Sequence, residues 1–230
     1  MSYLFDPPAS SALPVSGSPH LFPVHRIYCI GKNYAAHIRE MGSDPAREAP
    51  CFFLKPTDAV VLDGKMPYPP GTSNLHYEGE LVLAIGKGGR DIAVPDAAAH
   101  LFGYALGLDM TRRDLQTAAG RQGMPWDTGK AFDASAPLSA ITPVAKCGLL
   151  QRGSIKLWVN DHLRQDADLG DLIWNSQEII SQLSRLYELK AGDLIFTGTP
   201  AGVGPVVAGD HLRLAVEGLG ALEVEITAPS

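Results

Sequence analysis

Cysteine is scarce in this sequence, and basic residues are outnumbered by acidic ones. The three cysteines, Cys29, Cys51 and Cys147, form no Cys-x-x-Cys pair, so neither a disulfide framework nor a cysteine-rich zinc site is expected. Lys and Arg total 19 against 25 Asp and Glu, which gives a net charge of −6. A protein that binds nucleic acid by neutralising its phosphates is therefore not predicted.

Long apolar runs are also missing. No segment approaches the roughly 18 uninterrupted apolar residues that a membrane span requires. Residues 1–20 lack both the basic start and the continuous apolar core of a secretory signal. Together with the unpaired cysteines, these absences predict a cytoplasmic protein that binds neither a membrane nor nucleic acid.

What the sequence does have is enough apolar residues for a packed core and many residues that favour turns. Hydrophobic residues make up 45% of the 230 positions, and the rest include 24 Gly and 18 Pro. Residues 1–24 are rich in Pro, Ser and Gly without periodicity, which predicts an extended N-terminal arm. Residues 25–230 show no repeat and no linker, and they predict a single domain.

Short apolar segments separated by Gly and Pro predict many strands, and therefore a strand-dominated α+β fold. The predicted strands are at residues 26–30, 59–62, 79–85, 102–110, 155–160, 194–197, 211–216 and 222–226. Three helices are predicted between them. The first covers residues 34–41, with Asn33 as its N-cap and Gly42 as its stop; the second covers about 112–121; the third begins with a capping box at Asn175.

Two acids alternate along one predicted strand, and a third ends another. Glu78 and Glu80 share a face because side chains alternate in a strand. Asp109 ends the apolar run 104–108, where a charge is costly without compensation. Three oxygen ligands without a Cys or His suit a hard ion such as Mg²⁺ or Mn²⁺. The pattern alone is equally consistent with a solvated strand face and a turn capped by Asp109.

The first predicted helix carries a histidine and an acid on one face. His37 and Glu40 are three residues apart, so their side chains are neighbours. A carboxylate that orients an imidazole lets it take a proton from water, which is general-base chemistry. From spacing alone, a solvent-exposed pair is the favoured interpretation.

Further polar residues follow the acids along the chain. Arg113 and Gln116 share a helical face directly after Asp109 and could bind a carboxylate or carbonyl group. Lys130 stands alone among small and apolar residues. Thr199 lies in the Gly-rich loop 197–204, which offers N–H groups and hydroxyls to an anion. Each of these is also consistent with an ordinary surface cation or a tight turn between strands.

Taken in order and spacing, the motifs of residues 26–226 resemble the fumarylacetoacetate hydrolase family, in particular its small single-domain acylpyruvase and fumarylpyruvate hydrolase branch. The segments that carry the resemblance are Gly31-Lys32-Asn33-Tyr34, the His37 and Glu40 pair, Phe53-Leu54-Lys55-Pro56, His76-Tyr77-Glu78-Gly79-Glu80-Leu81, Leu108-Asp109-Met110-Thr111, Lys130, and Thr197-Gly198-Thr199-Pro200.

The resemblance implies a mixed β-sheet roll, a homodimer, and residues 25–230 as one catalytic domain. It also implies roles for matching residues. Mg²⁺ or Mn²⁺ is expected at Glu78, Glu80 and Asp109. The catalytic residues are expected to be His37 and Glu40, on a lid-like segment, with Lys130. The substrate-binding residues are expected to be Lys55, Arg113, Gln116 and Thr199.

The activity implied by the resemblance is hydrolysis of a C–C bond in a small 2,4-dioxo acid, namely fumarylpyruvate to fumarate and pyruvate in aromatic-compound catabolism of the gentisate type. His37 would activate the water, while Lys130 and Gln116 would steady the oxyanion. The alternative is decarboxylation or keto–enol tautomerisation of oxaloacetate at the same site. The distal end of a longer substrate needs a cation, for which Arg39, Arg112 and Arg121 are candidates.

Overall fold

The computed structural model of the chain describes residues 3–6, 9–40 and 48–229. Its strands are, in chain order, β1 (Ala12–Pro14), β2 (Leu21–Pro23), β3 (Ile27–Gly31), β4 (Cys51–Lys55), β5 (Val60–Val61), β6 (Lys65–Pro67), β7 (Leu75–Tyr77), β8 (Gly79–Ile85), β9 (Leu101–Leu108), β10 (Thr111–Arg112), β11 (Ala136–Pro137), β12 (Thr142–Pro143), β13 (Ser154–Val159), β14 (His162–Asp168), β15 (Leu194–Phe196), β16 (Gly204–Val206), β17 (His211–Val216) and β18 (Gly220–Thr227). Its α-helices are α1 (Ala35–Glu40), α2 (Arg113–Arg121), α3 (Asp127–Lys130), α4 (Val144–Cys147) and α5 (Ser176–Leu186). Short 3-10 helices cover Thr57–Ala59, Val94–His100 and Leu169–Asp171. The predicted strand-dominated α+β class is confirmed.

A central mixed sheet has the strand order β12-β9-β8-β15-β3-β4. Strands β8 and β9 pair antiparallel over most of their length, while β15 runs parallel to β3. All seven residues of β8 are buried, because both faces of the sheet are covered. Leu81 and Leu83 point into one core cluster, and Val82 points into another on the opposite face.

A second sheet, with the order β14-β13-β17-β18-β6, packs against the β8 side of the first. The two sheets approach closely at Gly79. A Cβ placed there would lie 2.8 Å from Leu214 Cδ1 and 2.9 Å from Leu157 Cδ1. Glycine at the start of β8 therefore permits the close contact between the two sheets. This contact lies between Glu78 and Glu80 in the sequence.

The N-terminal residues form a paired hairpin against the body. Strands β1 and β2 are antiparallel, and Leu13 and Phe22 are buried in the second core cluster with Phe196. Phe22 also stacks on Phe102, with ring centroids 5.5 Å apart. The sequence pattern did not predict these strands, because each is three residues long and its partner is set by packing.

The capping box at the start of α5 is present as predicted. The Asn175 side chain accepts a hydrogen bond from the Glu178 N–H (3.0 Å), and the Glu178 side chain accepts one from the Asn175 N–H (3.0 Å). Its buried side chains include Ile179, Ile180 and Leu183, as the helical spacing predicts. Among the described residues, no helix is long and apolar enough to cross a bilayer.

The start of α1 differs from the prediction. Asn33 Oδ1 accepts from the Trp174 N–H (2.8 Å), and Asn33 Nδ2 donates to the Trp174 and Thr197 carbonyls. The side chain thus connects β3 to two distant loops, and those tertiary bonds take the place of the predicted N-cap. The predicted stop at Gly42 lies outside the described residues.

Candidate active site

A cavity of about 210 Å³ lies where β3, β8 and β9 meet α1, α2 and α3. It brings together side chains from segments far apart in the sequence. The predicted site residues that line it are His37, Glu78, Glu80, Asp109, Arg113, Gln116, Lys130 and Thr199. The remaining two, Glu40 and Lys55, contact residues that line it.

The three acids converge because of how β8 and β9 pair. Gly79 lies opposite Leu108, and the Asp109 N–H donates to the Glu78 carbonyl at 2.9 Å. Glu78, Glu80 and Asp109 are 5%, 2% and 1% exposed. One carboxylate oxygen from each lies within 4.8 Å of the others. They are therefore buried and clustered, which excludes the solvated strand face as the interpretation.

Lys130 compensates part of the negative charge. Its Nζ donates to Glu78 Oε2 (2.7 Å), Asp109 Oδ2 (2.8 Å) and Thr111 Oγ1 (2.7 Å). Burial alone would raise the pKa of Glu78, but Lys130 and Arg113 hold it below its usual value. An ammonium group has three N–H donors, so all three are used here.

Glu80 lacks such compensation. Within the described residues no cation pairs with it, and its Oε2 accepts the Gly198 N–H at 2.6 Å. Burial, followed by the charges of Asp109 and Glu78, raises the pKa of Glu80 well above its usual value. A buried cluster of carboxylate oxygens, of which Glu80 has no paired cation among the described residues, fits a hard divalent cation. The cluster could therefore bind such an ion.

Lys55 lies behind Asp109 instead of facing the cavity. Its Nζ is 2.8 Å from Asp109 Oδ1 and donates to the carbonyls of Met110 (3.2 Å) and Lys130. The side chain is 0% exposed. The structure thus places Lys55 where it orients Asp109, which differs from the predicted contact with substrate. Lys55 is the last residue of β4, and β4 packs against α3, the helix that ends at Lys130.

The predicted dyad is formed on α1. His37 Nδ1 and Glu40 Oε2 are 3.1 Å apart, and the His37 side chain is 11% exposed. Both carboxylate oxygens of Glu40 accept the Gly202 N–H, at 3.0 and 3.2 Å. With Nδ1 bonded to the carboxylate, Nε2 is the nitrogen available to a proton. The exposed surface pair is excluded, since His37 lines the cavity.

Arg113 connects the acids to Gln116. Its guanidinium donates to Glu78 Oε1 (2.5 Å) and Gln116 Oε1 (2.6 Å), and its Nε donates to His76 Nδ1 (3.4 Å). Since Arg113 takes the Gln116 oxygen, the amide nitrogen of Gln116 is left to donate.

His76 is a site residue that the sequence analysis did not assign. Its Nε2 is 2.9 Å from Asn74 Oδ1, and burial followed by the Arg113 charge lowers the pKa of His76 to about 4. A neutral imidazole can accept from Arg113. The signal was present in the sequence, because His76, Glu78 and Glu80 are two residues apart and their side chains share one side of an extended chain.

Thr199 faces the cavity from the loop that follows β15. Its Oγ1 donates to the Gly79 carbonyl (3.0 Å) and accepts from Gln165 Nε2 (2.8 Å). The preceding Gly198 has a φ of +96°, a backbone conformation that favours glycine. This turn aims the Gly198 N–H at Glu80, so the loop fixes a cluster acid as well as lining the cavity.

Sequence comparison agrees with these features. The family described as fumarylacetoacetate (FAA) hydrolase, C-terminal, matches residues 26–227. The chain is 46% identical over 184 residues to a fumarylpyruvate hydrolase of a Ralstonia species, covering 80% of this chain and 95% of that protein. It is 43% identical over 208 residues to the mitochondrial oxaloacetate tautomerase of Homo sapiens, covering 88% of this chain and 92% of that protein.

Structural comparison points to the same group. The crystal structure of fumarylpyruvate hydrolase from Pseudomonas aeruginosa in complex with Mn²⁺ and pyruvate matches with a TM-score of 0.96 and 50% identity, covering 99% of this chain and 100% of that one. The family match spans most of the chain, and the relatives are similar over most of their length. The chain is therefore an enzyme of the fumarylacetoacetate hydrolase family.

Proposed function

We propose that the protein hydrolyses the C3–C4 bond of a 2,4-dioxo acid, with fumarylpyruvate as substrate and fumarate and pyruvate as products. The observation that carries the proposal is that a buried carboxylate cluster and a His–Glu dyad line one cavity. The Ralstonia and Pseudomonas relatives, both fumarylpyruvate hydrolases, support this choice of substrate.

Glu78, Glu80 and Asp109 would hold Mg²⁺ or Mn²⁺. A divalent ion held there supplies positive charge that stabilises negative charge on the pyruvate part of the substrate. The Pseudomonas relative was crystallised in complex with Mn²⁺, which supports a divalent ion in the present protein. Lys55 and Lys130 fix both oxygens of Asp109, so the acid is oriented before any ligand arrives.

His37 acts as the general base. Glu40 accepts from Nδ1, which leaves Nε2 to take a proton from water as the water adds to the C4 carbonyl. When the C3–C4 bond breaks, the imidazolium returns that proton to C3. C3 becomes the methyl group of pyruvate, and C4 becomes a carboxyl group of fumarate, which ionises and releases the second proton of the water to solvent.

Gln116 and Lys130 stabilise the oxyanion that forms at C4. The Gln116 amide nitrogen donates into the cavity because Arg113 holds its oxygen. Lys130 contributes a buried positive charge, since burial alone would lower its pKa but Asp109 and Glu78 raise it above the usual value. Arg113 and Thr199 line the cavity as substrate-binding residues.

A second candidate is keto–enol tautomerisation or decarboxylation of oxaloacetate. The human relative is an oxaloacetate tautomerase and is 43% identical. Oxaloacetate has the same 2-oxo acid end, so the carboxylate cluster and the dyad would serve it without rearrangement. The two candidates differ in the length of substrate beyond C4.

The proposed function is tested by comparing fumarylpyruvate and oxaloacetate at equal concentration. Pyruvate release with Mg²⁺ or Mn²⁺, with EDTA as the metal-removal arm, is measured for the wild type, His37→Ala and the surface control His162→Ala. We expect metal-dependent release with a larger kcat/KM on fumarylpyruvate. His37→Ala should lower kcat by about 100-fold or more while Mn²⁺ affinity persists.

Three outcomes would oppose the proposal. Full turnover by His37→Ala would show that the reaction does not need the dyad. Turnover in EDTA would show that it does not need a divalent ion. A larger kcat/KM for pyruvate release from oxaloacetate would favour decarboxylation as the activity, because tautomerisation of oxaloacetate releases no pyruvate.

We further propose that the enzyme works as a cytoplasmic homodimer in the catabolism of aromatic compounds. Cys29, Cys51 and Cys147 are free thiols, which favours a reducing compartment. The place in gentisate-type catabolism is part of the same proposal and depends on fumarylpyruvate being the substrate. Light scattering of the purified protein tests the dimer.

A further inference from the structure

The cavity is lined by more than the dyad and the acids. One face of α2 runs along it, and this face comprises residues 113, 116, 117, 120 and 121. These positions follow the helical spacing i, i+3, i+4, i+7 and i+8. Gln116 and Arg121 are therefore separated by about 7.5 Å along the helix axis. Arg121 thus lines the cavity about one and a half helical turns beyond Gln116, the residue proposed to contact the reacting carbonyl.

Two cations also belong to the cavity lining. Arg121, the last residue of α2, and Lys32, between β3 and α1, both line the cavity and are exposed. In the described ranges neither has an acidic partner. Lys32 also has a φ of +59°, a conformation that residues other than glycine rarely adopt.

Two aromatic rings line the same cavity. Phe53 and Trp126 both line the cavity, with ring centroids 5.9 Å apart and an edge-on angle of 69°. Two glycines, Gly31 and Gly120, lie against the Trp126 side chain. A Cβ at Gly31 would lie 3.4 Å from its ring, and one at Gly120 would lie 3.6 Å from its Nε1. This section offers flat apolar walls to a planar unsaturated chain.

The other two arginines considered from the sequence do not reach this space. Arg112 lies over the Phe132 ring, 4.3 Å from its centroid, and donates to the Thr128 carbonyl. Arg39 is exposed on α1 and is not among the cavity-lining residues. Arg121 is therefore the arginine placed to meet the far end of a substrate.

We infer that Lys32 and Arg121 form a specificity site for the distal carboxylate of the substrate, with Phe53 and Trp126 enclosing the unsaturated carbons before it. This inference rests on the proposed function, because it assumes that the 2-oxo acid end lies at Glu78, Glu80 and Asp109. The site selects a 2,4-dioxo acid with a second carboxylate over one that ends in a methyl group.

The test measures binding of fumarylpyruvate and acetylpyruvate to the Mn²⁺-loaded protein by calorimetry, in a His37→Ala background that slows turnover. Arg121→Gln and Lys32→Gln remove one charge each, and Lys32→Gln keeps the Cβ at the positive φ. The matched controls are Arg112→Gln and Arg39→Gln. We expect Arg121→Gln and Lys32→Gln to weaken fumarylpyruvate binding by about tenfold or more, with acetylpyruvate changed by less than about twofold.

The inference is overturned if both acids lose affinity equally, if neither does, or if Arg112→Gln or Arg39→Gln produces the selective loss. Failure of the proposed function gives a different result. A wild type that binds fumarylpyruvate through the two cations but releases no pyruvate from it leaves the distal site standing and removes the hydrolase proposal. If fumarylpyruvate is hydrolysed and neither substitution changes the reaction, the hydrolase proposal stands and the distal site is removed.

Discussion

Asp109 is held between two buried lysines, one at each carboxylate oxygen. Lys55 Nζ lies 2.8 Å from Oδ1, and Lys130 Nζ lies 2.8 Å from Oδ2. A buried carboxylate needs such compensation, and two opposed cations also stop it from rotating. Lys55 makes no contact with the cavity, so its effect on chemistry passes through the orientation of Asp109.

Lys55→Met is expected to destabilise the protein and weaken Mn²⁺ binding together. Removing one partner of a buried ion pair leaves Asp109 with a single cation, at a cost of roughly 3 kcal/mol. Urea unfolding measures the free energy of unfolding, and calorimetry measures the Mn²⁺ affinity. The exposed residue Lys65, changed to Met, is the control and should alter neither. Unchanged Mn²⁺ affinity in Lys55→Met would show that Asp109 does not need the contact with Lys55 to be oriented.

The sequence predicted the polar residues of the cavity better than the contacts between them. Asp109 stood out because a charge after an apolar run requires a partner. The partners themselves could not be predicted, since Lys55 reaches Asp109 only through the β3–β4 pairing and the position of α3. The Arg113 contact to His76 likewise depends on the β7–β10 pairing.

At the scale of elements, the loop after β15 contacts both Glu40 of the His–Glu pair and Glu80 of the carboxylate cluster. The Gly198 N–H donates to Glu80 and the Gly202 N–H donates to Glu40, four residues apart on one loop. The first contact requires a close approach. A Cβ at Gly198 would lie 2.7 Å from Asn33 Cβ.

Gly198→Ala should therefore lower both stability and Mn²⁺ affinity, and Gly209→Ala provides a matched control. Gly209 has a φ of +95°, close to that of Gly198 at +96°, but an added Cβ would meet nothing within 4 Å. Both substitutions carry a backbone cost of about 1–2 kcal/mol. Thermal unfolding and Mn²⁺ titration separate them, because only Gly198→Ala should lose affinity. Equal behaviour of the two variants would mean that the Gly198 contact does not position Glu80.

Elements with a strong pattern of their own could be predicted. Strands β8 and β17 match the predicted residues 79–85 and 211–216, because each is bounded by turn residues. Helix α5 begins where its capping box predicts. Strands of two or three residues, such as β5 and β7, were not predicted as the structure has them, since their pairing is decided by distant segments.

At the scale of the whole molecule, the central sheet is covered on both faces, and the N-terminal hairpin covers part of one of them. Leu13 is 0% exposed in the cluster that includes Val82 and Phe196, whereas Leu21 on the same hairpin is 63% exposed. The hairpin thus contributes to the core beneath the strand that carries Glu80, although it lines no part of the cavity.

Leu13→Ala is expected to lower the free energy of unfolding by about 3 kcal/mol, because it leaves a cavity in a packed core. Leu21→Ala, on the exposed side of the same hairpin, should change it by less than about 0.5 kcal/mol. Urea unfolding of both variants makes the comparison, and kcat at a temperature where both are folded should remain close to that of the wild type. An equal loss in the two variants would show that the hairpin does not pack through Leu13.

The shared loop after β15 has a consequence for how this enzyme can change. Because Glu80 and Glu40 each accept an N–H group of this one loop, a shift of the loop would move the proposed ion site and the proposed dyad together. We therefore expect metal preference and the acid–base step to be linked traits. Laboratory evolution that selects for a different ion through this loop will alter the pH–rate profile as well, and substitutions on α1 or β8 alone offer the route to changing one trait without the other.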